Sequence, residues 1–180
     1  MQLTQTQLTD MNHRDLDVVD TVILHHAVAD PTLDISEIAA MEQKAQGFIT
    51  VGYHVYVKCV DVENDQWVAQ MGRPIDCVPA AALGYNTKSY DICIGGNYQP
   101  NVEGVPTNTV SENALKAAIA QILAAKGKLP NLKYLIGHRD VTDVITHDPD
   151  DATACPGDLL YARLHELRVA TGLHSYGVQG

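Results

Sequence analysis

The chain has 180 residues, 46% of them hydrophobic and 19% charged, which suits one domain with a buried core and excludes a disordered protein. Its formal net charge of −10 at pH 7 argues against a nucleic-acid partner, because a nucleic-acid groove needs clustered Lys and Arg. No run of 18 apolar residues exists, so we expect no insertion into a membrane.

The N-terminal segment, residues 1–17, is a polar arm that lacks the apolar core of a signal peptide. We therefore expect a protein that is made in the cytoplasm and kept there until something else releases it. The domain itself is expected over residues 18–180. Its first strand is predicted over residues 18–24, where the run VVDTVIL leads into His25 and His26.

Three helices are predicted from capping signals and apolar stripes. Residues 34–37 have the capping-box pattern, and the helix that they start is expected to end at Gly47. Along one side of this helix lie Ile35, Ile38, Ala39 and Glu42. A second capping box over residues 109–112 predicts a helix to about Lys126, and residues 157–170 form the last predicted helix.

The remaining strands are predicted from alternating patterns or short apolar runs. They cover residues 53–60, 67–70, 90–95 and 134–137. Residues 79–83 are expected to form a short helical turn, and residues 97–108 a surface loop. Because strands mix with helices that are long enough to cover a sheet, the sequence predicts an α/β fold. We expect a single three-layer domain with a central mixed β-sheet flanked by helices.

The four cysteines are too few for a disulfide scaffold. Cys59 and Cys93 lie inside apolar, strand-like runs, and we interpret them as small buried hydrophobic residues. Cys155 differs from them because it lies in a loop beside Pro156 and Gly157. Cys155 is therefore the candidate functional cysteine.

Three places bring metal-binding side chains to strand ends or loops. They are His25-His26, His138-Arg139-Asp140 and Cys155-Pro156-Gly157. Two imidazoles and one thiolate are good zinc ligands, and three protein ligands leave the fourth tetrahedral position for water, as in catalytic sites. Such a metal brings the pKa of water to about 7 and polarises an amide carbonyl. The residues alone leave an alternative open, because a His at a strand end is more often a satisfied polar residue than a ligand.

Four segments, in this order, resemble the type 2 N-acetylmuramoyl-L-alanine amidases, a family that includes phage lysins and the peptidoglycan recognition proteins. The segments are VILHHAVAD, VGYHVYVK, GYNTKSYDICIGG, and IGHRDV followed later by TACPGDL. The resemblance spans roughly residues 21–168, nearly the whole chain. It implies an amidase or peptidoglycan recognition protein-like fold.

The resemblance implies one zinc ion per chain, held by His25, His138 and Cys155. His25 is preferred to His26 because the family pattern is a His, any residue, and then a small residue, here Ala27. Adjacent strand residues also point to opposite faces, so only one of the two histidines easily faces a metal. His26 is then a core residue or a support for a ligand.

The implied reaction is hydrolysis of the amide bond between N-acetylmuramic acid and L-alanine in peptidoglycan. The expected substrate is thus a muropeptide, and the expected enzyme is a monomeric, phage-type endolysin or similar lytic enzyme. Without a signal peptide, release by a holin or a secretion system would bring it to the cell wall.

Tyr53 matches the family's catalytic tyrosine, whose phenol can donate to an oxyanion; the alternative is an aromatic that packs on the sheet. Thr153 matches a position near the scissile carbonyl, or else it caps the following helix. Asp140 is expected to accept a hydrogen bond from a ligand imidazole, or else to pair with Arg139 or serve as a turn residue. His54 is expected to be structural. No glutamate stands out as a general base.

The sequence departs from the family in two places. The spacing from His138 to Cys155 is longer than in similar family members. The acidic segment 141–152 between them includes His147, Asp148, Asp150 and Asp151, and His147 or one of these aspartates could replace the third ligand. Small residues at positions 81 and 82 stand where many relatives have a His, so one substrate contact is expected to be missing.

Three other functions remain open. One is a non-catalytic peptidoglycan-binding module of the same fold. Another is a cysteine hydrolase, in which Cys155 attacks and His138 is the base. The last is a zinc amidase that cuts a different amide, such as a peptide bond within the stem.

Overall fold

A five-stranded mixed β-sheet forms the centre of the fold in the computed structural model, which describes residues 2–147, 149 and 152–177. The strands are β1 (Thr21–His26), β2 (Val55–Asp61), β3 (Gln66–Met71), β4 (Ser89–Ile94) and β5 (Tyr134–Gly137). Their order across the sheet is β3-β2-β4-β1-β5. β2 and β3 form an antiparallel hairpin, whereas β2–β4, β4–β1 and β1–β5 are parallel pairs.

Helices cover both faces of the sheet. They are α1 (Gln5–Asp10), α2 (Ile35–Gln46), α3 (Glu112–Lys126), α4 (Asp158–Tyr161) and α5 (Leu164–Thr171). The larger apolar cluster joins α3 and α5 to the face that carries Ile92 and Ile94, and a smaller one joins α2 to Cys93 on the other face. The predicted three-layer α/β fold is confirmed. Among the helices of the described residues, none has the length and apolarity needed to cross a bilayer.

Strand β1 is buried over its whole length, and the alternation of its side chains decides what each face receives. Val22 and Leu24 pack into the cluster with α3. Ile23 points to the opposite face, where it packs with Ile136. His25 therefore shares the face of Ile23. A parallel strand covered on both faces needs a continuous apolar run, which is why the run ahead of the histidines is apolar.

One of the two predicted capping boxes is confirmed. The Asp34 side chain accepts from the first turn of α2, and the Glu37 side chain accepts from the Asp34 backbone N–H at 2.8 Å. The box predicted over residues 109–112 is wrong, because Ser111 is the N-cap of α3 and its hydroxyl accepts two backbone N–H groups of the first turn. A serine one residue before the helix can reach those groups, whereas a threonine three residues before it cannot.

Other predicted boundaries also change. The helix predicted over residues 157–170 is interrupted between α4 and α5, where the Arg163 N–H bonds to the carbonyl three residues back instead of four. Residues 79–83 form bends and a turn rather than a helical turn. There the backbone N–H groups of Ala81 and Ala82 both donate to the Asn86 side chain, which removes them from helical hydrogen bonding.

The N-terminal segment forms α1 and then runs along the body of the domain. Met11 is 4% exposed, and His13 forms an antiparallel β-bridge with Cys77. The Arg14 guanidinium donates to the carbonyl of Asn86 at 2.6 Å. Although its residues are mostly polar, this segment is therefore held by both backbone and side-chain contacts.

Candidate metal centre

Two neighbouring parallel strands bring a pair of histidines to one edge of the sheet. β1 carries His25 at its carboxyl end, and its neighbour β5 ends one residue before His138. The His138 backbone N–H donates to the carbonyl of Leu24 at 3.2 Å, so the strand pairing extends to His138 itself. The two imidazole rings consequently lie side by side, with their centroids 4.7 Å apart.

Cys155 joins this pair from the loop that precedes α4. Its Sγ lies 3.7 Å from Nδ1 of His25, and one ligand atom from each of His25, His138 and Cys155 lies within 4.8 Å of the others. Zinc bonds to nitrogen and sulfur are about 2.0–2.3 Å long, so atoms at these separations can share one ion. The structure therefore brings together the three residues that were predicted as ligands.

Close backbone contacts hold the Cys155 loop against the sheet. The Arg139 N–H donates to the Cys155 carbonyl at 2.8 Å. A Cβ on Gly137 would lie 2.7 Å from the ring of the proline that follows Cys155, so the loop approaches the end of β5 only because this residue is glycine. Gly157 has φ +87°, and a Cβ there would lie 2.3 Å from the Tyr98 carbonyl carbon. The position of the thiol is thus fixed by two glycines.

The electrostatics of the centre favour a positive charge between Asp91 and Cys155. Burial lowers the pKa of His25, but hydrogen bonds to Asp91, 3.4 Å from Nε2, and to Cys155 outweigh it and raise the pKa to about 9. For His138, burial and the neighbouring His25 lower the pKa to about 3, so its imidazole is neutral and has a free lone pair. An ion could bind the neutral His138 directly but would have to replace the proton on His25, and the donor set of two imidazoles and one thiol fits zinc.

Asp91 was missed by the sequence reasoning, although a signal existed. It is a carboxylate in the apolar run YDICIG, and it is fully buried on β4. A buried carboxylate needs partners, and Asp91 has His25 and the hydroxyl of Ser89, which donates to it at 3.1 Å. By holding Nε2 of His25, Asp91 leaves Nδ1 directed at Cys155.

The other histidines near the centre take different places. Nδ1 of His26 accepts the Tyr98 backbone N–H at 3.1 Å, and burial lowers the pKa of His26 to about 4. It lies outside the three-residue group, as does the exposed His147 at the end of the π-helical segment Val141–Thr146. Asp148, Asp150 and Asp151 of the acidic segment lie outside the described residues.

Of the roles expected for Asp140, the structure shows that of a turn residue. Its carboxylate accepts the backbone N–H of Gly137 at 2.9 Å and the hydroxyl of Tyr161 at 2.6 Å. Arg139 pairs instead with Asp158 at 2.8 Å. Asp140 therefore ties the end of β5 to α4, because its position in the turn after the strand brings the carboxylate back to that strand's last N–H.

A cavity of about 650 Å³ opens beside His25, His138 and Cys155, the three candidate ligands. Tyr53 and Thr153, the two predicted catalytic residues, both line it, and Glu42 does so as well. Phe48 and residues 80–83 give the cavity an apolar wall. The two alanines in this wall are those that stand where many relatives have a His, so the expected loss of a polar contact falls on the cavity surface.

Tyr53 and Glu42 form a linked pair in this cavity. The Tyr53 ring centroid lies 5.2 Å from that of His25, and its hydroxyl hydrogen-bonds to the Glu42 carboxylate. Glu42 also accepts the Gly52 N–H at 2.7 Å. Burial raises the pKa of Glu42 above its ordinary value, and burial also raises the pKa of Tyr53. The sequence placed Glu42 on the inward side of α2 but gave no reason to connect it with Tyr53.

His54 is structural, as expected. It is fully buried, and burial lowers its pKa to about 4. Its Nδ1 accepts the Asp91 backbone N–H at 2.9 Å, so the neutral ring carries its hydrogen on Nε2, 3.1 Å from the carbonyl of Cys77. His54 thus joins β4 to the loop that follows β3.

Comparison with known proteins gives a matching family model, described as N-acetylmuramoyl-L-alanine amidase, over residues 15–158. None of the curated protein sequences matches the chain. Among solved structures, the N-acetylmuramoyl-L-alanine amidase LysC from Clostridium intestinale URNW is similar, with a TM-score of 0.65 and 20% identity over 91% of this chain and 91% of that chain.

Two further solved structures are similar. One is the Ph2119 endolysin from the Thermus scotoductus MAT2119 bacteriophage Ph2119, with a TM-score of 0.65 and 20% identity over 87% of this chain and 88% of that chain. The other is a mutant of Drosophila PGRP-LB in complex with tracheal cytotoxin, with a TM-score of 0.63 and 24% identity over 86% of this chain and 84% of that chain. At these identities the likeness shows a shared fold.

Proposed function

The chain belongs to the N-acetylmuramoyl-L-alanine amidase family, and from this premise we propose that it is a zinc-dependent hydrolase of the amide bond between N-acetylmuramic acid and L-alanine in peptidoglycan. The observation that carries the proposal is the convergence of His25, His138 and Cys155 at a cavity that Tyr53 also lines. A donor set of three, next to open space, suits a catalytic ion better than a structural one.

His25, His138 and Cys155 would hold the zinc ion, which would supply a Lewis acid for the amide carbonyl and for the attacking water. Tyr53 donates a hydrogen bond to the oxygen on which negative charge develops. Because burial raises the pKa of Tyr53, its phenol keeps its hydrogen at neutral pH and can act as this donor.

Thr153 is the second donor to that oxygen. Its Oγ1 accepts the Cys155 backbone N–H at 3.1 Å, which fixes the side chain at the cavity and leaves the hydroxyl hydrogen for the substrate. The Thr153 hydroxyl thus closes a local turn instead of capping the following helix. One hydroxyl can accept from the backbone and donate to the substrate at the same time.

Glu42 moves the proton that the reaction has to transfer. Its carboxylate lines the cavity, and its raised pKa brings it closer to the neutral pH at which a general base works best. We assign to it the acceptance of a proton from the attacking water and its delivery to the leaving amine. The Gly52 N–H orients the carboxylate for this transfer, and once Glu42 has taken up the proton, the single hydroxyl hydrogen of Tyr53 is free to move from the carboxylate to the developing oxyanion.

We also propose that the protein is a phage-type endolysin that is released by a holin or a secretion system and acts as a monomer. The similarity to the Ph2119 endolysin supports the lytic role. A second candidate is a binding module without turnover, which the similarity to PGRP-LB in complex with tracheal cytotoxin favours.

The test is to measure zinc content and the products released from purified peptidoglycan on one sample, with and without a chelator. We expect chelator-sensitive release of stem peptides with an N-terminal L-alanine. Zinc-dependent binding without released peptide would replace the proposal with the binding module. New amino termini within the stem would identify a different amide, and activity that persists in chelator but is lost after thiol alkylation would identify a cysteine hydrolase.

A further inference from the structure

A second group of metal-binding side chains lies where the N-terminal segment passes the turn after β3. It consists of His13, Asp76 and Cys77, whose ligand atoms all lie within 4.8 Å of one another. Nδ1 of His13 is 2.9 Å from Oδ2 of Asp76, and Sγ of Cys77 lies 3.8 Å from Nδ1 and 3.9 Å from Nε2. None of the three lines the cavity, and His13 precedes residues 15–158, which match the family model.

The backbone holds these side chains in place. His13 and Cys77 form an antiparallel bridge, and hydrogen bonds on either side of it continue the pairing. The Arg14 N–H donates to the Asp76 carbonyl at 2.8 Å, and the Val78 N–H donates to the carbonyl of residue 12 at 2.8 Å. Three potential ligands thus come from two chain segments that are already paired, so little conformational freedom remains for an ion to remove.

The second nitrogen of His13 selects the tautomer that a metal needs. Nε2 lies 3.1 Å from the carbonyl of Leu8, and because a carbonyl only accepts, Nε2 carries a hydrogen. Nδ1 is then directed toward the Asp76 carboxylate, where either a proton or a cation has to separate the two. A backbone carbonyl behind a ligand imidazole is the arrangement by which proteins orient metal-bound histidines.

We propose that His13, Asp76 and Cys77 bind a second divalent ion of the zinc class, separate from the candidate metal centre. A set of imidazole, carboxylate and thiolate suits zinc or its transition-metal neighbours, whereas magnesium and calcium prefer oxygen ligands alone. The side chains of His13 and Asp76 are 51% and 50% exposed, so an ion can enter from solvent. Cys77 supplies the thiolate from the buried side.

The proposed ion would clamp the N-terminal segment to the domain. It would close a loop that runs from His13 to Asp76 and contains α2, β1, β2 and β3. The chain that leaves Cys77 reaches residues 80–83 of the cavity wall within a few residues. The role that follows from this position is structural, because none of the three residues lines the cavity beside His25, His138 and Cys155.

The experiment measures metal binding by the full chain with the candidate metal centre disabled. A His138→Ala variant, loaded with zinc and freed of excess ion, should retain one zinc ion per chain. Cobalt in place of zinc should give the near-ultraviolet absorption of a thiolate–metal bond. Adding either His13→Gln or Cys77→Ser should abolish both signals, whereas His165→Gln, at an exposed histidine elsewhere, and Cys59→Ser, at another buried cysteine, should leave them intact.

His13→Gln is the decisive variant because His13 is half exposed, so its replacement leaves the core packed, whereas Cys77 is buried. Loss of metal from the double variant His138→Ala, His13→Gln, with an unchanged circular dichroism spectrum, supports the site. A His138→Ala variant that binds no metal, or metal that stays bound after His13→Gln, overturns it. Since no hydrolysis is measured, failure of the proposed amidase activity would leave this result unaffected.

Discussion

The two candidate metal-binding groups of this chain offer similar ligands in different settings. At the candidate metal centre, His25 is 1% exposed and the candidate ligands come from two strand ends and a loop beside a cavity. At the N-terminal group, which consists of His13, Asp76 and Cys77, His13 is half exposed and the candidate ligands come from a bridged pair of segments outside that cavity. We infer that ligand chemistry would select the ion at both groups, whereas access of a substrate to the ion would decide between a catalytic and a structural role.

The strongest test of this comparison is His138→Ala. Removing one of three ligands from the buried centre should abolish both its metal and the release of stem peptides, because the remaining imidazole and thiolate cannot hold the ion in a catalytic geometry. Metal analysis and product release on the same sample check this. His165→Ala is the matched control, and a fully active His138→Ala variant would remove the centre from the mechanism.

Glu42→Gln should have the next largest effect on rate. The amide still accepts the Gly52 N–H but takes up no proton, so we expect a loss of about 100- to 10,000-fold in kcat. Burial raises the pKa of Glu42 above its ordinary 4.5, so wild-type activity should rise with pH through that raised value, and this limb should be absent from the variant. An identical pH profile in both proteins would contradict the assigned role.

Glu42 also affects stability, with a defined sign. Since its pKa is raised in the fold, its stabilising contribution is fully present below pH 4.5 and is lost as the pH rises through the raised value. The neutral glutamine has no charge to bury, so the Glu42→Gln variant should unfold at neutral pH no more easily than wild type. Chemical denaturation at pH 4 and pH 7 measures this difference.

Tyr53→Phe separates metal binding from transition-state stabilisation. We expect full zinc content but a loss of roughly 2–4 kcal/mol in transition-state stabilisation, which is about 30- to 1,000-fold in kcat/KM. Tyr134→Phe, which removes a hydroxyl outside the cavity, is the control. If the Tyr53→Phe variant is metal-loaded and fully active, Tyr53 only packs against the sheet.

The smallest expected effect is a rise in Tm when zinc binds to the N-terminal group. In the His138→Ala background, zinc at about 100 times its Kd should raise Tm by about 5–10 °C, because binding to the folded state alone contributes about 2.7 kcal/mol. His13→Gln in that background should remove the shift. Scanning calorimetry with and without zinc measures it, and an equal shift in both proteins would assign the effect to another site.

Much of the fold was predictable because its signals are local. The apolar runs ahead of His25 and His138 predicted two strands, and parallel pairing of those strands places both residues at one edge. The capping box at Asp34 predicted the start of α2 for the same reason. The break between α4 and α5 was missed, since the apolar stripe continues across it.

What escaped prediction depends on contacts between distant segments. His13 and Cys77 are 64 residues apart, and no periodic pattern connects them. Glu42 meets Tyr53 only because α2 packs over the sheet face that carries Cys93. Asp91 could have been suspected from its place in an apolar strand, but its partner His25 follows from the order of strands across the sheet.

His54 lies between the two candidate metal-binding groups. Its Nδ1 accepts the backbone N–H of Asp91, whose carboxylate contacts His25. Its Nε2 lies 3.1 Å from the backbone carbonyl of Cys77 in the N-terminal group. Its ring is held neutral, in a single tautomer, without contact with solvent. The nitrogen resonances of His54 are therefore an internal reporter for magnetic resonance: loading either group with an ion should shift the nucleus on that group's side, so that the occupancy of both can be followed on one residue.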